Sequence, residues 1–167
     1  MQKQVIALLT ALAVATLADP ARAASAASAT SATSAADAQV SVTAPWVRAT
    51  VPVQKSTGAF LQLKSRTDAR LVGVSSPVAG SAELHEMRME GDMMKMRQVD
   101  GVALPAGKDV ALASGGYHIM LFQLKRQLQA GATVPLTLLI ERKNGKREKI
   151  HVSAAVKPLG FSAAPGH

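Results

Sequence analysis

The chain has 167 residues, no cysteine and a formal net charge of +8. The lack of cysteine excludes disulfides, thiolate metal sites and cysteine nucleophiles together. With one Trp, one Tyr and three Phe, the chain has no interleaving of aromatic and basic residues for stacking on bases, so nucleic acid is excluded as a predicted partner.

The first 23 residues have the order of features that marks a secretory signal peptide. Lys3 supplies a positive start, residues 5–18 form an aliphatic run, and residues 21–23 (Ala-Arg-Ala) offer small side chains to a signal peptidase. The aliphatic run is shorter than the ~20 residues that a membrane-spanning helix needs. We therefore predict export to the periplasm as a soluble protein and disfavour a retained membrane anchor.

The organisation after the signal peptide is a linker, a domain and a tail. Residues 24–39 are almost all Ala, Ser and Thr, which bury too little apolar surface to offset the entropy of ordering them. We predict a flexible linker there, with a second cleavage site near residues 36–38 as an alternative. A single domain is predicted over residues 40–158, long enough to bury a core, and a short tail over residues 159–167.

Short alternating stretches between turn residues predict an all-β domain. Strands are predicted within residues 44–53, 57–65, 69–80 and 116–124, and on both sides of Asn144–Gly145. Asn-Gly between two alternating runs is the strongest short-range hairpin signal. Short strands at this spacing imply a sandwich or a Greek-key barrel. Residues 125–131 are compatible with one helical turn.

Five of the seven methionines lie within residues 87–96, directly after His85. Over residues 85–90, His and Met alternate with Glu and Arg, so a strand would place the soft side chains on one face and the charges on the other. Gly91 and Asp92 then suit a two-residue type II′ turn, which takes Gly at its first position. The stretch therefore predicts a hairpin.

Counting outward from that turn predicts the register of the hairpin. Met89 lies opposite Met94, Met87 lies opposite Met96, and His85 lies diagonal to Met96. All five of these side chains share one face of the predicted hairpin.

A second pair of the same kind occurs downstream, where Met120 follows His118 at the i, i+2 spacing. In a strand these two side chains point to one side, so two strands could direct His and Met towards one site. Methionine often fills irregular gaps in a core, and a methionine core is one alternative. A sink for oxidants is another, because exposed Met is oxidised reversibly.

Imidazoles and thioethers together favour copper. Thioether sulfur is soft and neutral, so it suits Cu(I) and is a poor ligand for Zn²⁺, Mg²⁺, Ca²⁺ or Mn²⁺. It needs no deprotonation before it binds, and it holds copper less tightly than a thiolate does. The residues alone predict an exported Cu(I) carrier that can release its ion to a cysteine-bearing acceptor.

The spacing of these residues resembles the motif of the periplasmic copper chaperone family PCuAC, which is associated with loading the CuA centre of cytochrome c oxidase. That motif is a His, ten residues, a Met, twenty-one residues and His-x-Met, and His85, Met96, His118 and Met120 match every position. The likeness covers about residues 45–156. It implies that these four residues hold one Cu(I) ion per chain.

The resemblance also implies the fold, a cupredoxin-like or immunoglobulin-like Greek-key β-sandwich. Met87 and Met94 lie outside the motif, and we interpret them as supports for the ligands or as a transfer track. Met93 is predicted to face away from the site. Some members of the family carry a long His- and Met-rich tail, whereas this chain has only His167 at its end.

The implied partner is the CuA domain of cytochrome c oxidase subunit II, or another copper chaperone. The basic chain would act as a monomer and could be steered to an acidic patch or to an anionic membrane surface. A periplasmic copper-storage or tolerance protein is an alternative, and so is an exported interaction module with a methionine core. No enzyme is predicted, because the acidic residues are scattered and no Ser/His/Asp pattern has supporting context.

Overall fold

A computed structural model describes residues 39–163. The predicted signal peptide, the predicted linker up to residue 38 and the last four residues with His167 lie outside this range. Within it the chain forms ten strands and no helix, and thus no helix that could cross a membrane. The strands are β1 (Val40–Arg48), β2 (Ser56–Ser65), β3 (Ala69–Ser75), β4 (Ser81–Glu90), β5 (Met93–Gln98), β6 (Val102–Leu104), β7 (Asp109–Leu112), β8 (Tyr117–Phe122), β9 (Thr133–Arg142) and β10 (Arg147–Lys157).

The strands form one hydrogen-bonded path in the order β5-β4-β8-β2-β1-β10-β9-β3-β6, with β7 paired to β2 beyond the end of β8. Buried side chains from both arms of this path belong to a single hydrophobic cluster. The path therefore curls into two layers that face each other across the core, as in a β-sandwich. The predicted all-β sandwich class is confirmed.

Strand β1 joins the two layers, because it pairs antiparallel with β2 and parallel with β10. Its register with β2 shifts between Thr43 and Trp46, where Ala44 has a φ of 46° and Pro45 follows. Proline has no N–H for the ladder, so a bulge is one of the few places where a strand can hold it. The strand runs over Val40–Arg48, earlier than the predicted 44–53, and the proline lies inside it.

The core is built from Leu, Ile and Val on the inward faces of the strands. Strand β9 shows the pattern most clearly, because every second residue is buried: Val134, Leu136, Leu138 and Ile140. None of the methionines in residues 39–163 belongs to the buried cluster. The methionine-core alternative is therefore wrong, since branched aliphatic side chains already fill the space between the layers.

The hairpin predicted at Asn144–Gly145 is confirmed as the β9–β10 pair, with Gly145 at a φ of 78°. The helical turn in residues 125–131 is wrong, because this segment is a bend and a turn that connects β8 to β9. Strands β6 and β7 were not predicted. They have three and four residues, too few for alternation to distinguish a strand from a loop.

Candidate metal centre

Strands β4 and β5 form the methionine hairpin in the predicted register. Met89 lies opposite Met94, and Met87 lies opposite Met96. Gly91 has a φ of 63°, as the first position of a type II′ turn requires. The turn length and the alternation therefore place the four thioethers on one face of the hairpin.

Strand β8 pairs with the other side of β4 and brings the second His-Met pair to the same face. His118 lies directly opposite His85, and Met120 lies opposite Glu83; residues paired in this way share a face of the sheet. Leu84, between Glu83 and His85, points the other way and is buried in the core. The candidate site therefore lies on the outer face of its layer.

The ring of His118 is buried, and both of its nitrogens have neighbours. Nδ1 is 3.1 Å from the carbonyl oxygen of Gly116, and Nε2 is 3.2 Å from the sulfur of Met96. A carbonyl oxygen can only accept, so Nδ1 donates its N–H and Nε2 keeps a lone pair directed to the side of Met96. A backbone carbonyl that fixes the tautomer in this way is typical of metal-binding histidines.

His85 is also buried, and the roles of its two ring nitrogens are the reverse of those in His118. Its Nε2 is 2.9 Å from the Glu83 carboxylate, while Nδ1 is buried without a hydrogen-bond partner. Because the carboxylate accepts the Nε2–H, Nδ1 is the nitrogen with a lone pair. A buried polar atom without a partner costs about 1–3 kcal/mol, and a bound metal ion would satisfy this one. The His85 and His118 ring centroids are 5.9 Å apart.

The two predicted methionine ligands lie at different depths. Met96 is 51% exposed, whereas Met120 is only partly exposed. A cleft of about 420 Å³ is lined by Met87, His118 and Met120, and by Gly58, which lies opposite Met120 on β2. Met96 thus contacts His118, and Met120 shares a cleft with it.

Phe60 and Arg48 also border the site, and neither was predicted from the sequence. The Phe60 ring centroid is 6.5 Å from that of His118 and 4.3 Å from that of Trp46. The Arg48 guanidinium lies 5.7 Å from the Phe60 centroid, and its Nε is buried without a hydrogen-bond partner. Arg48 lines the same cleft as Met120 and has no ion pair within residues 39–163. It places a positive charge beside neutral donors.

The other face of the hairpin is charged. Glu90 lies 2.9 Å from Lys95 and 2.7 Å from Arg97. On the same side Tyr117 lies opposite Glu86, and its pKa is raised above the ordinary value, mainly by burial and then by the charge and hydrogen bond of Glu86. The hairpin therefore has one face with four thioethers and one face of charged residues that also carries Met93.

The donor chemistry of the site is soft. Across residues 39–163, no group of three or more His, Cys, Asp or Glu side chains is placed to hold a metal ion. This part of the chain therefore offers no cage of hard or thiolate donors for Zn²⁺, Ca²⁺ or Mg²⁺. Two imidazoles beside thioethers are the kind of donor set that suits Cu(I).

Comparison with known sequences gives a family match over nearly the whole domain. The family described as "Putative lipoprotein LpqE-like" matches residues 40–156. The "Putative lipoprotein Lxx21020" of Leifsonia xyli subsp. xyli is 37% identical over 102 residues, which cover 59% of this chain and 60% of that protein. The matched part therefore spans less than two thirds of that relative.

Comparison with solved structures gives PCuAC domains. The apo PCuAC domain from PmoF1 has a TM-score of 0.59 and 26% identity, and the match covers 72% of this chain and 95% of that domain. The solution structure of CuI-DR1885 from Deinococcus radiodurans has a TM-score of 0.53 and 34% identity, over 71% of this chain and 76% of that one. The resemblance to PCuAC domains is confirmed.

Proposed function

We propose that this chain, which belongs to the LpqE-like family and has the PCuAC fold, is an exported carrier that binds one Cu(I) ion and passes it to an acceptor protein. The observation that carries the proposal is the approach of His118 Nε2 to the Met96 sulfur at 3.2 Å. A lone pair of an imidazole and a thioether sulfur at this distance can bind the same ion without rearrangement of the strands.

The proposed ligands are His85, Met96, His118 and Met120. The orphaned Nδ1 of His85 and the lone pair on Nε2 of His118 support this set. All four side chains lie on one face across three neighbouring strands. Each donor is neutral, so the site would carry the +1 charge of Cu(I) with little competition from divalent ions that prefer carboxylates.

Release of the ion follows from the exposure of the ligands. The imidazoles are buried and Met96 is half exposed, so an incoming thiolate or imidazole of an acceptor would reach the ion from the Met96 side. The exchange breaks the bond between copper and the thioether and forms a bond to the acceptor, with copper as Cu(I) throughout. No electron is transferred, and no proton is required from the leaving ligand.

The proposed acceptor is the CuA domain of cytochrome c oxidase subunit II, or another copper chaperone. Two observations favour an acidic partner. The chain carries a net charge of +8, and Arg48, which has no ion pair within residues 39–163, places its guanidinium at the cleft. Such charge speeds association with an acidic surface and makes it sensitive to salt. The lipoprotein description of the family supports export, together with the predicted signal peptide.

The test is an anaerobic Cu(I) titration of the exported chain against a competing chelator. The wild type should bind one ion tightly, and the double variant Met96→Leu/His118→Ala should lose the tight site. Met93→Leu is the matched control, because Met93 lies on the opposite face of the same hairpin and is also exposed. Tight binding that survives the double variant would overturn the ligand assignment.

Delivery needs a separate measurement. The Cu(I)-loaded chain is mixed with an apo CuA domain, and the copper bound to each protein is measured over time. Transfer that slows in high salt supports the chaperone role and the electrostatic docking. Retention of copper by the chain beside a competent CuA domain would instead favour storage or tolerance as its role.

A further inference from the structure

Four methionines of the β4–β5 hairpin form a ladder of two rungs, here called the thioether ladder. The inner rung is Met87 opposite Met96, and the outer rung is Met89 opposite Met94. Met89 is 58% exposed and Met94 is 48% exposed. Only Met96 of these four matches the copper motif, so the outer rung needs its own explanation.

Packing does not explain the outer rung. All six residues of β5 are exposed, and the core contains none of the methionines in residues 39–163. The opposite face of the hairpin bears the ion pairs of Glu90 with Lys95 and Arg97, as expected of a strand at a solvated edge. Four of the five methionines of the hairpin share the face opposite these charges, and Met93 lies on the charged face. At exposed positions that bury little surface, a cluster of four thioethers is better explained by the chemistry of sulfur than by packing.

The geometry of a rung suits a soft ion. Directly opposite residues in an antiparallel pair have Cβ atoms about 4.5–5.5 Å apart. Methionine has three rotatable bonds beyond its backbone, so two such side chains can bring their sulfurs to a shared ion. Successive rungs are two residues apart, or about 7 Å along the strand. The inner rung lies beside His118, because Met96 contacts its Nε2.

We propose that Met89 and Met94, with Met87 as a third donor, form a second and weaker site for a soft monovalent ion, Cu(I) or Ag(I). The site lacks an imidazole and is open to water, so its ion exchanges faster than an ion held by buried histidines. Binding at this site does not depend on the proposed function; its use as a loading step does.

The loading step is a ligand exchange along the ladder. The bonds from copper to Met94 and Met89 break as bonds to Met96 and to His118 Nε2 form, and Met87 stays bound during the exchange because it pairs with Met96. Copper stays Cu(I), no proton moves and no other reactant is needed. The ladder would thus carry an ion from the tip of the hairpin to the buried imidazoles.

The experiment is a titration of the exported chain with Ag(I), an air-stable substitute for Cu(I). Native mass spectrometry counts the bound ions, and the ¹³C-methyl signals of methionine report which sulfurs bind. Wild type should take up about two silver ions per chain, whereas Met89→Leu/Met94→Leu should take up about one. The Met93→Leu control should bind as many silver ions as the wild type. In the wild type, the methyl signal of Met93 should not shift when silver is added.

A second variant separates this inference from the proposed function. His85→Ala/His118→Ala removes both imidazoles and should leave about one silver ion, bound on the ladder. A wild type that binds a single ion, unaffected by Met89→Leu/Met94→Leu, would overturn the second site and leave the proposed one intact. If the wild type binds a single ion that Met89→Leu/Met94→Leu loses and His85→Ala/His118→Ala keeps, the ion lies on the thioether ladder. That result would overturn the proposed ligands.

Discussion

The β4–β5 and β9–β10 hairpins have the same alternating sequence pattern and opposite environments. In the β9–β10 hairpin, Leu136, Leu138 and Ile140 are at most 1% exposed. In the β4–β5 hairpin every residue of β5 is exposed. Strand β9 lies between β10 and β3, whereas β5 ends the path of strands. Alternation by itself therefore does not decide whether a hairpin stabilises the fold, because β9 contributes to the buried cluster and β5 does not.

The difference separates the part of the chain that stabilises the fold from the part that carries the proposed metal ligands. Strand β5 contributes no residue to the buried cluster, so its side chains can serve chemistry without loss of core packing. Lys95 and Arg97 on β5 are charges of the kind that discourage an edge strand from pairing with another chain. The hairpin can therefore expose thioethers while the buried layers hold the fold.

The largest contrast should appear when one leucine of the first hairpin and one methionine of the second are truncated. Leu138→Ala removes a fully buried side chain and should lower the free energy of unfolding by about 2–5 kcal/mol. Met94→Ala removes a half-exposed side chain and should change it by less than about 0.5 kcal/mol. Urea denaturation measures the free energy of unfolding of both variants. Equal decreases would contradict the inference that the β9–β10 hairpin stabilises the fold and the β4–β5 hairpin does not.

An intermediate effect is expected at the base of the methionine hairpin, where the Glu83 carboxylate accepts a hydrogen bond from His85. Glu83→Ala removes the acceptor at 2.9 Å from Nε2, which frees the ring to rotate and change tautomer. The Cu(I) affinity should fall about 10- to 100-fold. Glu83→Gln keeps a carbonyl acceptor for the His85 N–H, so its Cu(I) affinity should fall less than that of Glu83→Ala. Competition with a Cu(I) chelator measures the affinities, and an unchanged value for Glu83→Ala would show that Glu83 does not orient the ligand.

The smallest effects should come from the turns. Gly91 and Gly145 have φ values of 63° and 78°, where an alanine is strained by about 1–2 kcal/mol. Gly145→Ala should reduce global stability by that amount, because its hairpin forms part of the core. Gly91→Ala should raise amide hydrogen exchange in β5 and leave the global unfolding midpoint nearly unchanged. Identical shifts in that midpoint would show that the two hairpins unfold as one unit.

Local chemistry made much of the site predictable. The Gly91–Asp92 turn and the alternation before it specify which residues oppose each other, and the observed register agrees at every pair. The fold class also followed from short alternating runs and from the Asn144–Gly145 turn. Predictions failed where a feature depends on distant residues, as for the bulge at Pro45 and for the short strands β6 and β7.

The surroundings of the site could not be predicted for the same reason. Arg48 and Phe60 come from β1 and β2, far in sequence from His118, and nothing local relates them to it. The role of Glu83 had a weak local signal, because it lies two residues before His85 and shares its face in a strand. Charges of Glu86, Arg88 and Glu90 in the same strand obscured that signal.

The proposed donors, their spacing and the register of the methionine hairpin can all be derived from short stretches of sequence, because turn length and a period of two act over a few residues. The packing of the whole fold, in contrast, places β8 beside β4, so that His118 faces His85. It also decided that this face is the outer one, with the imidazoles buried and Met96 exposed. Those outcomes depend on how two whole layers pack around one core, which no short stretch of the chain encodes.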